Sequence, residues 1–104
     1  MQYIPEGLAQ FKSSHNDKPD DLREIQLLLD FDWKLVVWQR YKINGNWIAG
    51  LEFHGRHFRL VCDRGYVEVY EITNDHETEI QPPKDQLTTI SPRQVCELLA
   101  KAVG

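Results

Sequence analysis

The spacing of apolar residues divides the chain into a helix, a run of strands and a second helix. Leu22, Ile25, Leu28 and Leu29 share one face at helical spacing. Pro19 suits a first helical position, and Asp20, Asp21 and Glu24 put negative charge in the first turn, where the helix dipole favours it. The spacing therefore predicts a helix over about 19–30. Residues 33–43 are dense in β-branched and aromatic side chains and read as a strand, and alternation continues over 46–54, 57–63 and 66–73. The strongest local signal lies near the C-terminus. Ser91 is an N-cap, Pro92 occupies the first helical position, Gln94 completes a capping box, and Ile90 with Val95 forms a hydrophobic staple. Val95, Leu98, Leu99 and Ala102 then make the apolar stripe of a helix over about 92–103. The expected fold class is α+β: one domain over 1–104, with a four-stranded antiparallel β-meander flanked by an N-terminal and a C-terminal helix, in two layers.

Turn chemistry and polarity together propose a register. Asn44-Gly45 signals a hairpin. A strict two-residue turn there mixes polarity on both faces, whereas a three-residue loop with Gly45 as a bulge puts Leu35, Val37 and Tyr41 on one face with Trp47, Leu51 and Phe53. Gly55, taken as the first central residue of a type II′ turn, sets Phe53 against Phe58, Leu51 against Leu60, Glu52 against Arg59 and His54 against His57. Asp63-Arg64-Gly65-Tyr66 makes the third turn and leaves Val67 and Val69 on the apolar face, with Glu68, Tyr70 and Ile72 pointing away. Residues 1–18 are a turn-rich lead-in, and 73–90 lose periodicity through an acidic turn and Pro82-Pro83.

Charge changes this picture more than bulk composition does. The 104 residues carry a net charge of −4, yet residues 33–66 hold six basic groups against two acidic, while each flank holds three basic against seven acidic. With 41% hydrophobic and 27% charged residues the chain has enough apolar material for a core. It has no apolar run of membrane-spanning length, no signal-like N-terminus and two isolated cysteines, Cys62 and Cys96. A reduced, soluble, cytoplasmic protein is the expectation.

Enzyme chemistry finds little purchase. Phosphate-binding glycine loops, nucleophile elbows and zinc-binding HExxH spacing do not occur, and Asp63 with Glu68-Val69-Tyr70 lacks the lysine of a carboxylate-lysine nuclease. Opposed across a hairpin, His54 and His57 would be near enough to share a metal ion, but they lack an obvious third ligand and read more simply as exposed turn histidines. No catalytic residue and no cofactor is expected. What remains is the outer sheet face, where Trp38, Ile48, Val61 and Tyr70 interleave with Lys34, Arg40, Lys42, Arg59, Glu52 and Glu68. Trp, Tyr and Arg are frequent anchors of protein interfaces, and the same set suits stacking on unpaired bases. The candidate surface is thus Trp38, Arg40, Arg59, Tyr70, His54 and His57. Its expected use is a non-enzymatic interaction module, homodimeric through the outer face or edge of the sheet, with single-stranded nucleic acid as the alternative partner.

Overall fold

The computed structural model describes residues 18–40, 46–80 and 91–104. Helix α1 (Asp20–Leu28) leads into strands β1 (Trp33–Arg40), β2 (Trp47–Phe53), β3 (Arg56–Asp63), β4 (Tyr66–Thr73) and β5 (His76–Glu79), and helix α2 (Pro92–Val103) follows. The strands form one antiparallel sheet in chain order, β1-β2-β3-β4-β5. The α+β meander is as expected, with one strand more. Both helices pack on one face of the sheet. Leu22 and Ile25 of α1 and Val95, Leu98 and Leu99 of α2 share a core with Trp47, Ala49, Leu51, Phe58, Leu60, Cys62, Val67 and Val69. Burying each of the larger side chains contributes about 1.5–3 kcal/mol, so this layer holds the fold together.

Helix α2 begins as its sequence predicts. The Ser91 hydroxyl accepts a hydrogen bond from the Gln94 backbone N–H at 3.2 Å, and the Gln94 side chain accepts one from the Ser91 N–H at 3.1 Å. Helix α1 lacks a side-chain cap; Pro19 precedes it, and the Arg23 N–H bonds back to the Pro19 carbonyl. Only Leu22 and Ile25 of its apolar set are fully buried. Leu28, expected beside them, lies toward solvent, because the helix ends there and Leu29 turns inward instead.

Three two-residue turns build the sheet from β2 onward. His54-Gly55, Arg64-Gly65 and Asn74-Asp75 all carry positive φ at both central positions (46° and 83°, 55° and 85°, 51° and 66°), which marks type I′ hairpins. The last of these folds the acidic stretch after Thr73 back as β5, where no strand was expected. Gly55 is the second central residue of its turn, not the first. The β2–β3 register therefore sits two residues from expectation, pairing Leu51 with Phe58 and Ala49 with Leu60. A slip of two keeps each side chain on its face, so the apolar layer is unchanged. Asp63 pairs with Tyr66 across the third turn, and Cys62 with Val67, as expected.

Strand β1 departs further. Leu35 pairs with Leu51 and Val37 with Gly50, so the register shifts between them and Val36 is an extra, bulged residue. Trp33, Leu35 and Trp38 cannot share one face of a regular strand, because 33 and 35 differ from 38 in parity. The bulge resolves this: all three pack against the core, and Val37 turns outward. Trp33 contacts the Phe53 and Phe58 rings at 4.6 and 5.2 Å. The expectation that Val37 shares the apolar face with Leu35 and Leu51 is thereby overturned. The Gly45 turn itself, with Tyr41 and Lys42, lies outside the described residues, as do the 1–17 lead-in and residues 81–90 with Ile90 of the staple.

Candidate interaction site

The six residues expected to form one outer surface are divided by the structure. Arg59 and Tyr70 stand side by side on the outer face of β3 and β4, with the guanidinium carbon 5.3 Å from the ring centre. His57 shares that face, opposite Glu52, with 3.9 Å between Nδ1 and Oε2. Trp38 is on the helix side, carried there by the Val36 bulge, and Arg40 follows it. His54 occupies the first central position of the β2–β3 turn, and its Nε2 lies 3.6 Å from Asp32 Oδ2, an ion pair when the imidazole is protonated. The two histidines are thus not opposed. Among the described residues, no group of three or more His, Cys, Asp and Glu side chains is placed to hold a metal ion.

A central strip of the outer face is buried. Gln39, Ile48, Arg59 and Ile72 are 3–8% exposed, as buried as residues under the helices. Arg59 forms an ion pair with Glu77 of β5 rather than with Glu52, because the position opposite it on β2 is Gly50. Its Nε is buried without a hydrogen-bond partner among the described residues. The Tyr70 hydroxyl donates to Glu68, and that bond, aided by burial, pushes its pKa up to about 12. With Glu52, Glu68, Glu77 and Glu79 on the same face, the local balance is acidic.

Exposed apolar surface is concentrated elsewhere, on and just before the β1 edge. Leu27 on α1 is 86% exposed, Phe31 in the α1–β1 turn 94%, and Val36 at the bulge 48%. Among the described residues, β1 has no strand on its outer side, so part of its backbone presents an open edge. At the start of the strand Phe31, Asp32, Lys34, Glu52, His54 and Gly55 line an open cleft of about 260 Å³. Lys34 stands directly opposite Glu52 on β2, and His54 reaches Asp32, so the apolar edge has a charged rim. Sequence reasoning missed this arrangement because it assigned no role to Phe31 and Leu27 and placed Val36 in a regular strand. The 33–35–38 spacing of large apolar residues was the signal available for the bulge.

Both cysteines are poor nucleophiles. Burial pushes the Cys62 thiol above its ordinary value and the Cys96 thiol up to about 11, and Cys96 Sγ lies 3.7 Å from the Ile25 carbonyl in the seam between the helices. Among the described residues, no helix is long and apolar enough to cross a membrane. Comparison of the chain with protein families, with curated proteins and with solved structures found no match, so the site is read from its own geometry.

Proposed function

We propose that the chain is a non-enzymatic interaction module that joins a second copy of itself through the β1 edge. One observation carries this reading: Phe31 and Val36, large apolar side chains, are exposed at a strand that, among the described residues, has no neighbour on its outer side and whose rim is charged. An apolar centre with a polar rim is the usual anatomy of a protein interface, and an unpaired strand supplies backbone hydrogen bonds to whatever lies along it. The outer face, the other surface considered for self-association, has less to offer, because its central strip is buried and Arg59 is matched to Glu77.

Single-stranded nucleic acid is the weaker partner. Trp38 and Arg40 are on the helix side, and the Arg59–Tyr70 pair left on the outer face is surrounded by carboxylates that repel phosphate. The test of the leading reading is molar mass by light scattering across the micromolar range. Twice the chain mass is expected for the wild type, and Val36→Asp should weaken association at least tenfold. A monomer at every concentration overturns the proposal.

A further inference from the structure

β5 is attached to the sheet differently from its neighbour. All four of its residues, His76–Glu79, are exposed, so it can move without pulling a side chain out of the core. β4 buries Val67, Val69 and Ile72, and its Glu71 is held by Nε and Nη2 of Arg56 at 2.9 and 2.8 Å. The turn leading into β5 also stands apart. Asn74 and Asp75 both lie in the left-handed region, whereas the two earlier turns each end on a glycine, Gly55 or Gly65. Asn and Asp tolerate that region better than most side chains, yet closure still keeps two residues in it. The strand's side-chain tie is the ion pair of Glu77 with Arg59, which reaches from β3 over the Tyr70 ring of β4. Closure also gathers Glu68, Glu77 and Glu79 on one face, and their mutual repulsion opposes it.

We propose that residues 74–79 form a strap, fixed at Thr73 and Ile80, that opens from β4 while the other four strands stay paired, with Arg59–Glu77 as its latch. Ile80 is the anchored end: its N–H donates to the Val69 carbonyl at 2.8 Å and its side chain packs against the core. Opening changes the character of this side of the sheet. The four-residue charged β5 gives way to β4, eight residues long, and Ile72 loses Glu77 from the position opposite it. A long strand with an apolar side chain newly uncovered is what an extended segment can add to. The strap is thus a gate on the second edge of the sheet, and it does not depend on self-association at β1.

The phase of the ladder allows a test within a single strand. Because Ile80 bonds to Val69, the hydrogen-bonded pairs between β4 and β5 are 69–80, 71–78 and 73–76, and the backbone groups of Tyr70 and Ile72 face β3 instead. Native-state hydrogen exchange of the wild-type chain at low urea reads these amides separately. Glu71 and Thr78 are expected to exchange together, at least about tenfold faster than Tyr70 and Ile72 after correction for intrinsic rates. Glu77→Gln keeps the side chain's shape and removes its charge. It should speed Glu71 and Thr78 about threefold or more and leave Tyr70 and Ile72 unchanged. If Glu71 instead tracks Tyr70 and Ile72, β5 opens only with the whole sheet and the proposal is overturned. Exchange of Glu71 and Thr78 at unprotected rates would show that nothing holds the strap shut, which overturns it as well. Equal rates in the wild type and Glu77→Gln overturn the ion pair as the latch.

Discussion

At one edge of the sheet β1 runs for eight residues, with Trp33, Leu35 and Trp38 anchored in the core; at the other, β5 runs for four, all exposed, and is tied to the sheet by Arg59 and Glu77. The two edges solve one problem differently. β5 is short and carries Glu77 and Glu79, so an approaching strand finds little length and repelling charge. β1 is long and apolar and carries the Val36 bulge, which leaves one residue unopposed.

The contrast is sharpest where packing is removed. Leu51→Ala, which truncates the residue opposite Leu35, should lower stability by about 2–5 kcal/mol in urea unfolding, whereas Thr78→Ala on β5 should stay within about 0.5 kcal/mol. Similar losses at both would erase the distinction between an anchored and an attached edge. A Leu51→Ala loss below about 0.5 kcal/mol would mean that the core face of β2 is misassigned. Arg59→Ala should lose about 1–3 kcal/mol, since it removes a buried cation and releases Glu77. Hydrogen exchange should then quicken at β5 amides and not at β1; faster exchange at β1 would break the comparison.

Ser91→Ala removes the N-cap of α2 and should lose about 1 kcal/mol in the same unfolding assay without favouring either edge. The smallest effect is confined to alkaline solution. The Tyr70 hydroxyl ionises near its ordinary value of 10 in the unfolded chain but is held up to about 12 in the folded one. The folded state therefore binds the proton more tightly. The resulting stability is fully present below pH 10 and declines as pH rises from 10 toward 12. Tyr70 stands opposite Glu79, so the decline belongs to the β5 side. Urea unfolding at pH 9, 10 and 11 should show a shallower fall for Tyr70→Phe than for the wild type, and identical slopes would remove Tyr70 from the account.

Much of the fold was legible where a residue type permits only one local geometry. Ser91, Pro92 and Gln94 announce a helix start, and Asp63-Arg64-Gly65-Tyr66 places a turn whose register the neighbouring valines confirm. The β2–β3 register was not legible, since histidine tolerates positive φ and His54 can therefore take the first central position that a strict reading gives to glycine. β5 escaped notice because His76-Glu77-Thr78-Glu79 has no apolar alternation; it is bonded through backbone and an ion pair, which a hydrophobic pattern does not record. The bulge was hidden in Leu35-Val36-Val37-Trp38, an apolar run that satisfies either parity. That single extra residue moved Trp38 and Arg40 from the candidate surface to the helix side and shifted attention from the sheet's face to its edge.

The three type I′ hairpins have a kinetic consequence. Each joins strands through two residues, so β2 to β5 can assemble by contacts between near neighbours in the chain, the kind that closes in microseconds. β1 reaches Trp47 from Arg40 across a longer connection and needs its extra residue in place before Trp38 can dock. It is therefore the strand expected to settle last. Until it does, β2 is the open edge of a nearly finished sheet, so the interval before β1 closes is when strand exchange between chains competes most strongly with folding.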